Sequence, residues 1–338
     1  MTVGLSHRRA IIVGAGQSGL AVAAALIAEG LRPQQDFVVV DAADTQQRSW
    51  STRWHSMSLL SDARHSALPN HPHSGDQRRA IRADEMADYL ADVESTLGVE
   101  TQWGVSARNV ERHGSGPTLF LATNLGDVQT RNIVCATGAA ARAHMPEWAI
   151  KLVVPGSAMH SSQYQYPRQI AEGDVLIVGG GNSGVQLARE LSASHAVTLS
   201  VRGPRRHRAV ERHSAYTDSR GRWWRRPQAE PIFGESLSQL RRAGVNLVPD
   251  VVDAHGAEVV YADGSRSAPH SIIYATGFTP ANRWLPPRRG QRPLRATLTD
   301  LPGLFVAGDP AHGSPASGTI AGVGRDATAI AHHIVNRP

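Results

Sequence analysis

Short apolar segments that end in glycine alternate with stretches of helical spacing along the 338-residue chain. The apolar run Ala10–Val13 leads directly into the letters GAGQSG, and an alanine-rich stretch then covers 20–29. A second apolar run, Phe37–Val40, ends in Asp41. Short continuous apolar runs bounded by glycine are typical of buried strands. The order strand, glycine turn, helix and strand therefore predicts a βαβ unit with a parallel sheet.

The same order returns in the middle of the chain. The strand pattern Asp174–Val178 is followed by the letters GGGNSG, a helical stretch and another strand pattern over 196–201. Further apolar runs at 133–138 and 272–277 both end in Ala-Thr-Gly. These patterns predict an α/β protein with two Rossmann-like dinucleotide-binding domains. We expect a discontinuous domain of residues 1–150 and 275–338, with a second domain, 151–274, inserted into it.

Composition narrows the class of protein. Hydrophobic residues make up 41% of the chain and charged residues 19%, which is enough apolar material for a sizeable core. No apolar run approaches the roughly 20 residues of a membrane-spanning helix, and the N-terminal segment has no signal-peptide pattern. Cys135 is the single cysteine, which excludes a dithiol mechanism. We expect a soluble cytoplasmic protein that does not bind membranes.

The formal net charge is +6, and the densest basic clusters are 202–208 and 220–226. The second cluster includes Trp223 and Trp224, and such a mixture of cations and aromatics can bind single-stranded nucleic acid. A solvated loop or a phosphate site is the alternative that we favour, because nucleic-acid binding needs a clustered basic face. We therefore predict no nucleic-acid partner. The 16 histidines are scattered, and no metal site is predicted.

The first glycine turn has the features of a dinucleotide site. Gly14 permits a tight turn, Gly16 lets the backbone approach a pyrophosphate, and Gly19 lets the helix pack closely on the strand. Gln17 and Ser18 lie at the helix start, where unpaired N–H groups can bind phosphate. Asp41, at the end of the second strand, can accept hydrogen bonds from a ribose hydroxyl. This unit therefore suits the unphosphorylated ribose of FAD or NAD.

The second βαβ unit differs from the first at one decisive position, the end of its second strand. Its candidate coenzyme residues are Gly179, Gly181, Asn182, Ser183 and Gly184. The second strand of this unit ends in Arg202 rather than in an acid, and an arginine suits a 2′-phosphate. An ordinary surface arginine is the alternative, and Arg205 and Arg206 are weaker candidates. Two nucleotides in one chain imply electron transfer between them, and FAD with NADPH is the natural pair.

A third candidate lies near the C-terminus, where the run 304–309 ends in Gly308 and Asp309. Gly308 can let the backbone approach a ligand, and Asp309 can bond the ribityl hydroxyls of a flavin. A plain surface turn is the alternative for Asp309. A helix start at 317–322 would direct its positive end at the flavin pyrimidine edge.

Several motifs resemble the flavin-containing monooxygenase family, among the class B flavoprotein monooxygenases, in a short bacterial form. The segment 154–164 is similar to the family's FxGxxxHxxxY pattern through Gly156, His160 and Tyr164, although Val154 replaces the leading phenylalanine. The segment 49–59 is similar to the family's SWxxRYDSLxL stretch, with Trp50 and Arg53 aligned. That stretch passes beside the flavin ring in the family. The run 275–282 resembles the family's ATGYxxN sequence.

The resemblance implies an activity. In the family NADPH reduces FAD, and a flavin C4a-hydroperoxide passes one oxygen atom to a soft nucleophile. We therefore expect an NADPH- and FAD-dependent monooxygenase that acts on nitrogen or sulfur of a small organic molecule, with dioxygen as cosubstrate. The resemblance assigns His160 and Tyr164 to coupling coenzyme binding to domain position, and no catalytic side chain is assigned. Baeyer–Villiger oxygenation, an NADPH reductase or oxidase, and a nucleotide-sensing module without turnover stay open, as does a homodimer.

Overall fold

The computed structural model describes residues 4–208, 231–287, 299–313 and 315–336. The chain divides into two compact units. The first unit consists of Met1–Ser51, Asp62–Arg142 and Pro280–Pro338, and the second of Thr52–Ser61 and Ala143–Thr279. The sequence predicted domains of 1–150 with 275–338, and of 151–274. The units change at 142 and 280 instead, and the segment Thr52–Ser61 groups with the second unit. Which nucleotide each unit binds stays a prediction.

Helices and strands alternate in most of the described part of the chain. The α-helices there are α1 Gln17–Ala28, α2 Ala83–Thr96, α3 Asn182–Leu191, α4 Leu237–Arg242 and α5 Val323–Asn336. The strands there are β1 Ala10–Val13, β2 Phe37–Val40, β3 Ser58–Asp62, β4 Ala80–Arg82, β5 Ala107–Glu111, β6 Leu119–Thr123, β7 Gly126–Thr130, β8 Asn132–Cys135, β9 Arg142–Ala143, β10 Ala158–His160, β11 Asp174–Val178, β12 Ala196–Ser200, β13 His207–Arg208, β14 Ile232–Phe233, β15 Asn246–Val248, β16 Val251–His255, β17 Glu258–Tyr261, β18 Arg266–Ser267, β19 Ser271–Tyr274, β20 Phe278–Thr279 and β21 Leu304–Val306.

The first unit is built on a parallel sheet with the strand order β2-β1-β8-β21. Ile11 pairs with Val38 on one side and with Ile133 on the other. Every residue of these four strands is buried, which explains their continuous apolar sequences. Helix α1 packs against α5. A separate antiparallel sheet, β5-β6-β7, adds Val110 and Leu121 to the same core.

The second unit is built on a parallel sheet with the order β10-β19-β11-β12-β15. Its core includes Ile177, Leu187 and Ile273, together with Tyr164. An antiparallel sheet, β16-β17-β18, packs a second cluster around Tyr261. All five strands of the parallel sheet end at one edge, and ligands of such sheets bind beyond the carboxyl ends of the strands. A ligand of this unit would therefore contact the residues that follow β10, β19, β11 and β12.

The predicted α/β fold class with two nucleotide-binding folds is confirmed by this architecture and by the structural neighbours named below. Within the described residues, no helix is both long enough and apolar enough to cross a membrane. The helix expected to start around 317–322 begins at Val323, directly after that range, and a 3-10 turn, Pro315–Gly318, precedes it.

Candidate dinucleotide sites

Two glycines of the first turn are required by the packing of the protein itself. Gly14 has φ +114°, and a Cβ on it would overlap the carbonyl group of Ala136. A Cβ on Gly19 would overlap the carbonyl oxygen of Gly14, which lies under the first turn of α1. These two positions therefore build the tight strand-to-helix connection, and a larger residue at Gly14 would break the fold rather than fill ligand space.

Gly16 is different, because a Cβ on it would have only the Ser49 hydroxyl near it, at 3.8 Å. Gly16 is also the N-cap of α1, and no side chain caps this helix start. The first-turn N–H groups of a helix need acceptors. Open space beside uncapped N–H donors is what a phosphate group requires, so the turn fits a pyrophosphate.

Asp41 holds the glycine turn in place. Its carboxylate accepts hydrogen bonds from the backbone N–H groups of Ala15 at 2.7 Å and Ala43 at 2.9 Å. A carboxylate offers about four acceptor positions, so these bonds leave room for a ribose hydroxyl. The geometry thus adds a structural role to the predicted binding role.

Asp309 follows β21 and is buried, with a relative exposure of 6%. It accepts hydrogen bonds from the Ala311 N–H at 2.8 Å and from the Asn282 side-chain amide at 3.3 Å, and it pairs with His312 at 3.2 Å. Burial acts to raise the pKa of Asp309, but these bonds outweigh it and hold that pKa below its usual value. Asp309 therefore carries a buried, ordered carboxylate and does not lie in a plain surface turn.

The close approach that Gly308 permits is between its backbone and another part of the protein. It has φ +78°, and a Cβ there would overlap the buried Ser18 of α1. Sequence reasoning missed the polar group behind this loop, which consists of the buried residues Ser317 and Asp326. Burial raises the pKa of Asp326, while bonds with Ser317 and the Gly308 backbone oppose that shift. Its spacing from Asp309 gives no signal in the sequence.

The second glycine turn repeats the first. Gly179 has φ +116° and would overlap Ala275 if it carried a Cβ, and Gly184 would overlap Gly179. Gly181 is the uncapped N-cap of α3, and nothing lies within 4 Å of its Cβ position. The inner glycine again faces open space beside helix N–H donors, so this turn also fits a pyrophosphate.

Two other predicted residues of the second turn differ in their surroundings. The Asn182 side chain donates to the Pro231 carbonyl at 3.2 Å and accepts from the Phe233 N–H at 2.8 Å. It therefore braces α3 against β14. Ser183 is half-buried in the first turn of α3.

Arg202 lies beyond β12 with a side chain that is 86% exposed, and its Nε is 3.3 Å from Oδ2 of Asp250. The sequence shows an arginine rather than an acid at the end of this strand, but the structure places a carboxylate beside Arg202. Asp250 follows β15, which pairs with β12 in the sheet. A 2′-phosphate bound to Arg202 would lie close to the negatively charged Asp250 carboxylate. Arg205 is half-buried and Arg206 exposed, while the cluster 220–226 lies outside the described residues.

The motif around His160 connects two loops of the second unit. The His160 Nδ1 accepts from the Ser162 N–H at 3.1 Å, so Nε2 carries the proton and donates to the Gly277 carbonyl at 3.0 Å. Burial lowers the pKa of His160, and this bond to Gly277 opposes the shift. Gly156 is also explained by packing, since a Cβ there would crowd Ser271 and His270.

Tyr164 is fully buried within the core of the second unit. Its hydroxyl lies near the Glu190 carboxylate without a well-aligned hydrogen bond among the described residues, and burial raises the pKa of Tyr164, with Glu190 adding to the shift. The motif tyrosine therefore contributes to the packing of this core.

The structure places Trp50 and Arg53 in different units. The Trp50 indole donates to the Gln17 side chain at 3.0 Å, next to the first glycine turn. Arg53 belongs to the second unit, where its guanidinium lies over the Phe278 ring, 5.0 Å from the centroid.

Comparison with known proteins defines the class. The pyridine nucleotide-disulphide oxidoreductase family matches residues 11–308, and the chain belongs to this family. "Uncharacterized oxidoreductase CzcO" of Bacillus velezensis is 28% identical, over 95% of this chain and 97% of that protein. "Indole-3-pyruvate monooxygenase YUCCA1" of rice is 30% identical, over 54% of this chain and 44% of that protein. A flavin-containing monooxygenase from Stenotrophomonas maltophilia is similar in structure, with TM-score 0.80, 26% identity and coverage of 96% and 97%.

The predicted resemblance to flavin-containing monooxygenases is thereby confirmed, and the chain is an enzyme of the flavin-dependent oxidoreductases that use FAD and a nicotinamide coenzyme.

Proposed function

We propose that this protein is an NADPH- and FAD-dependent monooxygenase that oxygenates nitrogen or sulfur of a small organic molecule. The observation that carries the proposal is the pair of glycine turns. Each has an inner glycine, Gly16 or Gly181, that faces open space beside an uncapped helix start. One turn is followed by Asp41 and the other by Arg202, which supports two different nucleotides.

FAD is assigned to the first unit. Gly16, Gln17 and Ser18 surround the helix start that would hold its pyrophosphate, and Asp41 would accept from its adenosine ribose. Asp309 would accept from its ribityl chain, because the carboxylate is ordered and ionised. Gly14, Gly19 and Gly308 support the site through backbone packing.

NADPH is assigned to the second unit. Gly181 and the start of α3 would hold its pyrophosphate, and Arg202 would bind its 2′-phosphate in competition with Asp250. Gly179 and Gly184 shape the turn, and Asn182 fixes α3 against β14. His160 links the loop after β10 to Gly277 and so keeps the carboxyl edge in one arrangement.

The bound cofactors supply the redox and oxygen chemistry, and the chain contributes binding and orientation. A dithiol reductase mechanism is excluded, since Cys135 is the single cysteine. Burial raises the pKa of its thiol to about 11, which keeps it an unreactive thiol.

The test is product formation. Purified yellow protein would be mixed with NADPH, air and single members of a panel of amines, sulfides, cyclic ketones and 2-oxo acids, with indole-3-pyruvate included because of the rice relative. We expect an N-oxide or a sulfoxide as product, with about one NADPH consumed for each molecule of product formed. Ester products would favour Baeyer–Villiger oxygenation, and NADPH consumption that no substrate changes, with hydrogen peroxide as product, would favour an oxidase. Protein without flavin would overturn the proposal in favour of a sensing module.

A further inference from the structure

Arg53 carries a charge that the described part of the protein does not neutralise. Its guanidinium lies over the Phe278 ring, and among the described residues no carboxylate or carbonyl group pairs with it. Burial lowers the pKa of Arg53. A desolvated charge is costly unless it is paired, and a stacked aromatic ring offsets only part of that cost. The structure therefore has a cation that is prepared for a negatively charged partner.

The segment that carries Arg53 is held in place. The His55 N–H donates to the Gln165 carbonyl at 2.9 Å, and the Gln165 side-chain amide donates to the Thr52 carbonyl at 3.0 Å. Trp54 is buried in the core of the second unit, with 3% exposure. These contacts fix the backbone on both sides of Arg53, so the guanidinium is positioned before any ligand binds.

Among the described residues, burial is the one resolved influence on the pKa of Arg53, and no acidic group contributes to it. His160 is buried near it, and the positive charge of Arg53 contributes to lowering the pKa of His160, after burial itself. The Gly277 carbonyl, next to the stacked Phe278, already accepts from His160 and from the His144 N–H at 2.9 Å. Both lone pairs of that oxygen are therefore occupied by donors other than the guanidinium.

The position of this cation in the sheet indicates what it would meet. In the order β10-β19-β11-β12-β15, the glycine turn follows β11 and Arg202 follows β12. Arg53 lies on the opposite side of the turn, since it stacks on Phe278, which follows β19, and the carbonyl of the adjacent Thr52 accepts from Gln165, which follows β10. A dinucleotide laid across the turn with its adenosine end at Arg202 extends its nicotinamide half towards Arg53.

We propose that Arg53, stacked on Phe278, anchors an oxyanion at this edge, either the phosphate of the coenzyme's nicotinamide half or a carboxylate of the substrate. The planar guanidinium can bind either group through two parallel N–H donors. The proposal depends on the proposed function only for the direction in which the coenzyme lies across the turn. Binding of an oxyanion at Arg53 can be measured without any turnover.

The experiment measures binding to the FAD-loaded protein by thermal shift and calorimetry. The probes are nicotinamide mononucleotide, 2′,5′-ADP and indole-3-acetate, each at low and high salt. The variants are Arg53→Gln and Arg53→Lys, and Arg241→Gln is the control because Arg241 is an exposed arginine of the same unit. We expect Arg53→Gln to weaken at least one of the mononucleotide and the carboxylate about tenfold to a hundredfold. Arg53→Lys should recover part of the loss, and 2′,5′-ADP should bind all variants alike.

The pattern of losses identifies the source of the oxyanion. A loss confined to the mononucleotide indicates the coenzyme phosphate, and a loss confined to indole-3-acetate indicates a substrate carboxylate. In either case the salt dependence of binding should fall in Arg53→Gln, which a purely structural role would not produce. Unchanged binding of both probes in Arg53→Gln would overturn the proposal. So would an equal loss of 2′,5′-ADP binding, which would indicate a general distortion of the unit. Neither outcome depends on whether the enzyme oxygenates a substrate.

Discussion

Asp250 should control the choice between NADPH and NADH. Its carboxylate lies 3.3 Å from Arg202, so a 2′-phosphate bound by that guanidinium would lie close to a second negative charge. Replacing Asp250 with asparagine keeps the shape of the side chain and removes the repulsion. We expect Asp250→Asn to bind NADPH more tightly and NADH no more tightly than the natural chain does.

The magnitude follows from the geometry. Two unit charges about 5 Å apart interact by about 0.8 kcal/mol in water and by about 3 kcal/mol at the dielectric typical of a protein surface. The Arg202 side chain is 86% exposed, so solvent screening places the effect near the lower value. About 1 kcal/mol corresponds to about a fivefold gain in NADPH affinity. Removing the arginine in Arg202→Ala should cost NADPH a similar or larger factor and leave NADH nearly unchanged.

The assay is stopped-flow flavin reduction with each coenzyme titrated separately, in the natural chain, both single variants and the double variant. Asp263→Asn is the control, because it removes an exposed carboxylate of the same unit that bonds Ser265. An Asp250→Asn variant with an unchanged NADPH-to-NADH ratio would refute the reasoning. A variant that gains equally for both coenzymes would show that Asp250 repels the pyrophosphate rather than the 2′-phosphate.

Three further predictions address the glycine turn, the histidine and the buried tyrosine. Gly16→Val should fold but lose FAD, because its side chain would fill the open space that the pyrophosphate needs, whereas Gly14→Val should fail to fold. Circular dichroism reports folding and flavin absorbance after desalting reports FAD binding, and a Gly16→Val variant that retains flavin would contradict the pyrophosphate site at this turn. The pKa of His160 is lowered on folding, so the unfolded chain binds its proton more readily and stability should fall as the pH drops below about 6.5. Melting temperatures between pH 5 and pH 8 test this, and the slope should flatten in His160→Gln; an equally steep slope would exclude His160 as its source. Tyr164→Phe should leave the melting temperature unchanged or raise it, since the buried hydroxyl makes no well-aligned hydrogen bond among the described residues and faces only the Glu190 carboxylate; a fall of several degrees would show that the hydroxyl bonds Glu190.

The sequence by itself determined the elements that depend on near neighbours. Strands β1 and β11 and the turns that follow them were predicted, because burial on both faces demands continuous apolar runs and a strand-to-helix turn demands glycine. The contrast between Asp41 and Arg202 was also visible, since each residue directly ends the second strand of its unit. These are local rules of sterics and pattern.

The tertiary structure decided which of those residues face a ligand. The sequence assigned Gly14 to the tight turn and Gly16 to the ligand, yet only the position of Ala136, directly after the neighbouring strand β8, shows that a side chain on Gly14 would overlap the protein itself. Asp250 is 48 residues from Arg202, and the two meet because β15 pairs with β12. Arg53 reaches Phe278 for the same kind of reason, since its segment groups with the second unit and not with the strands that precede it. Strand order and loop placement result from burying all apolar faces at once, so contacts between distant residues carry no local signal in the chain.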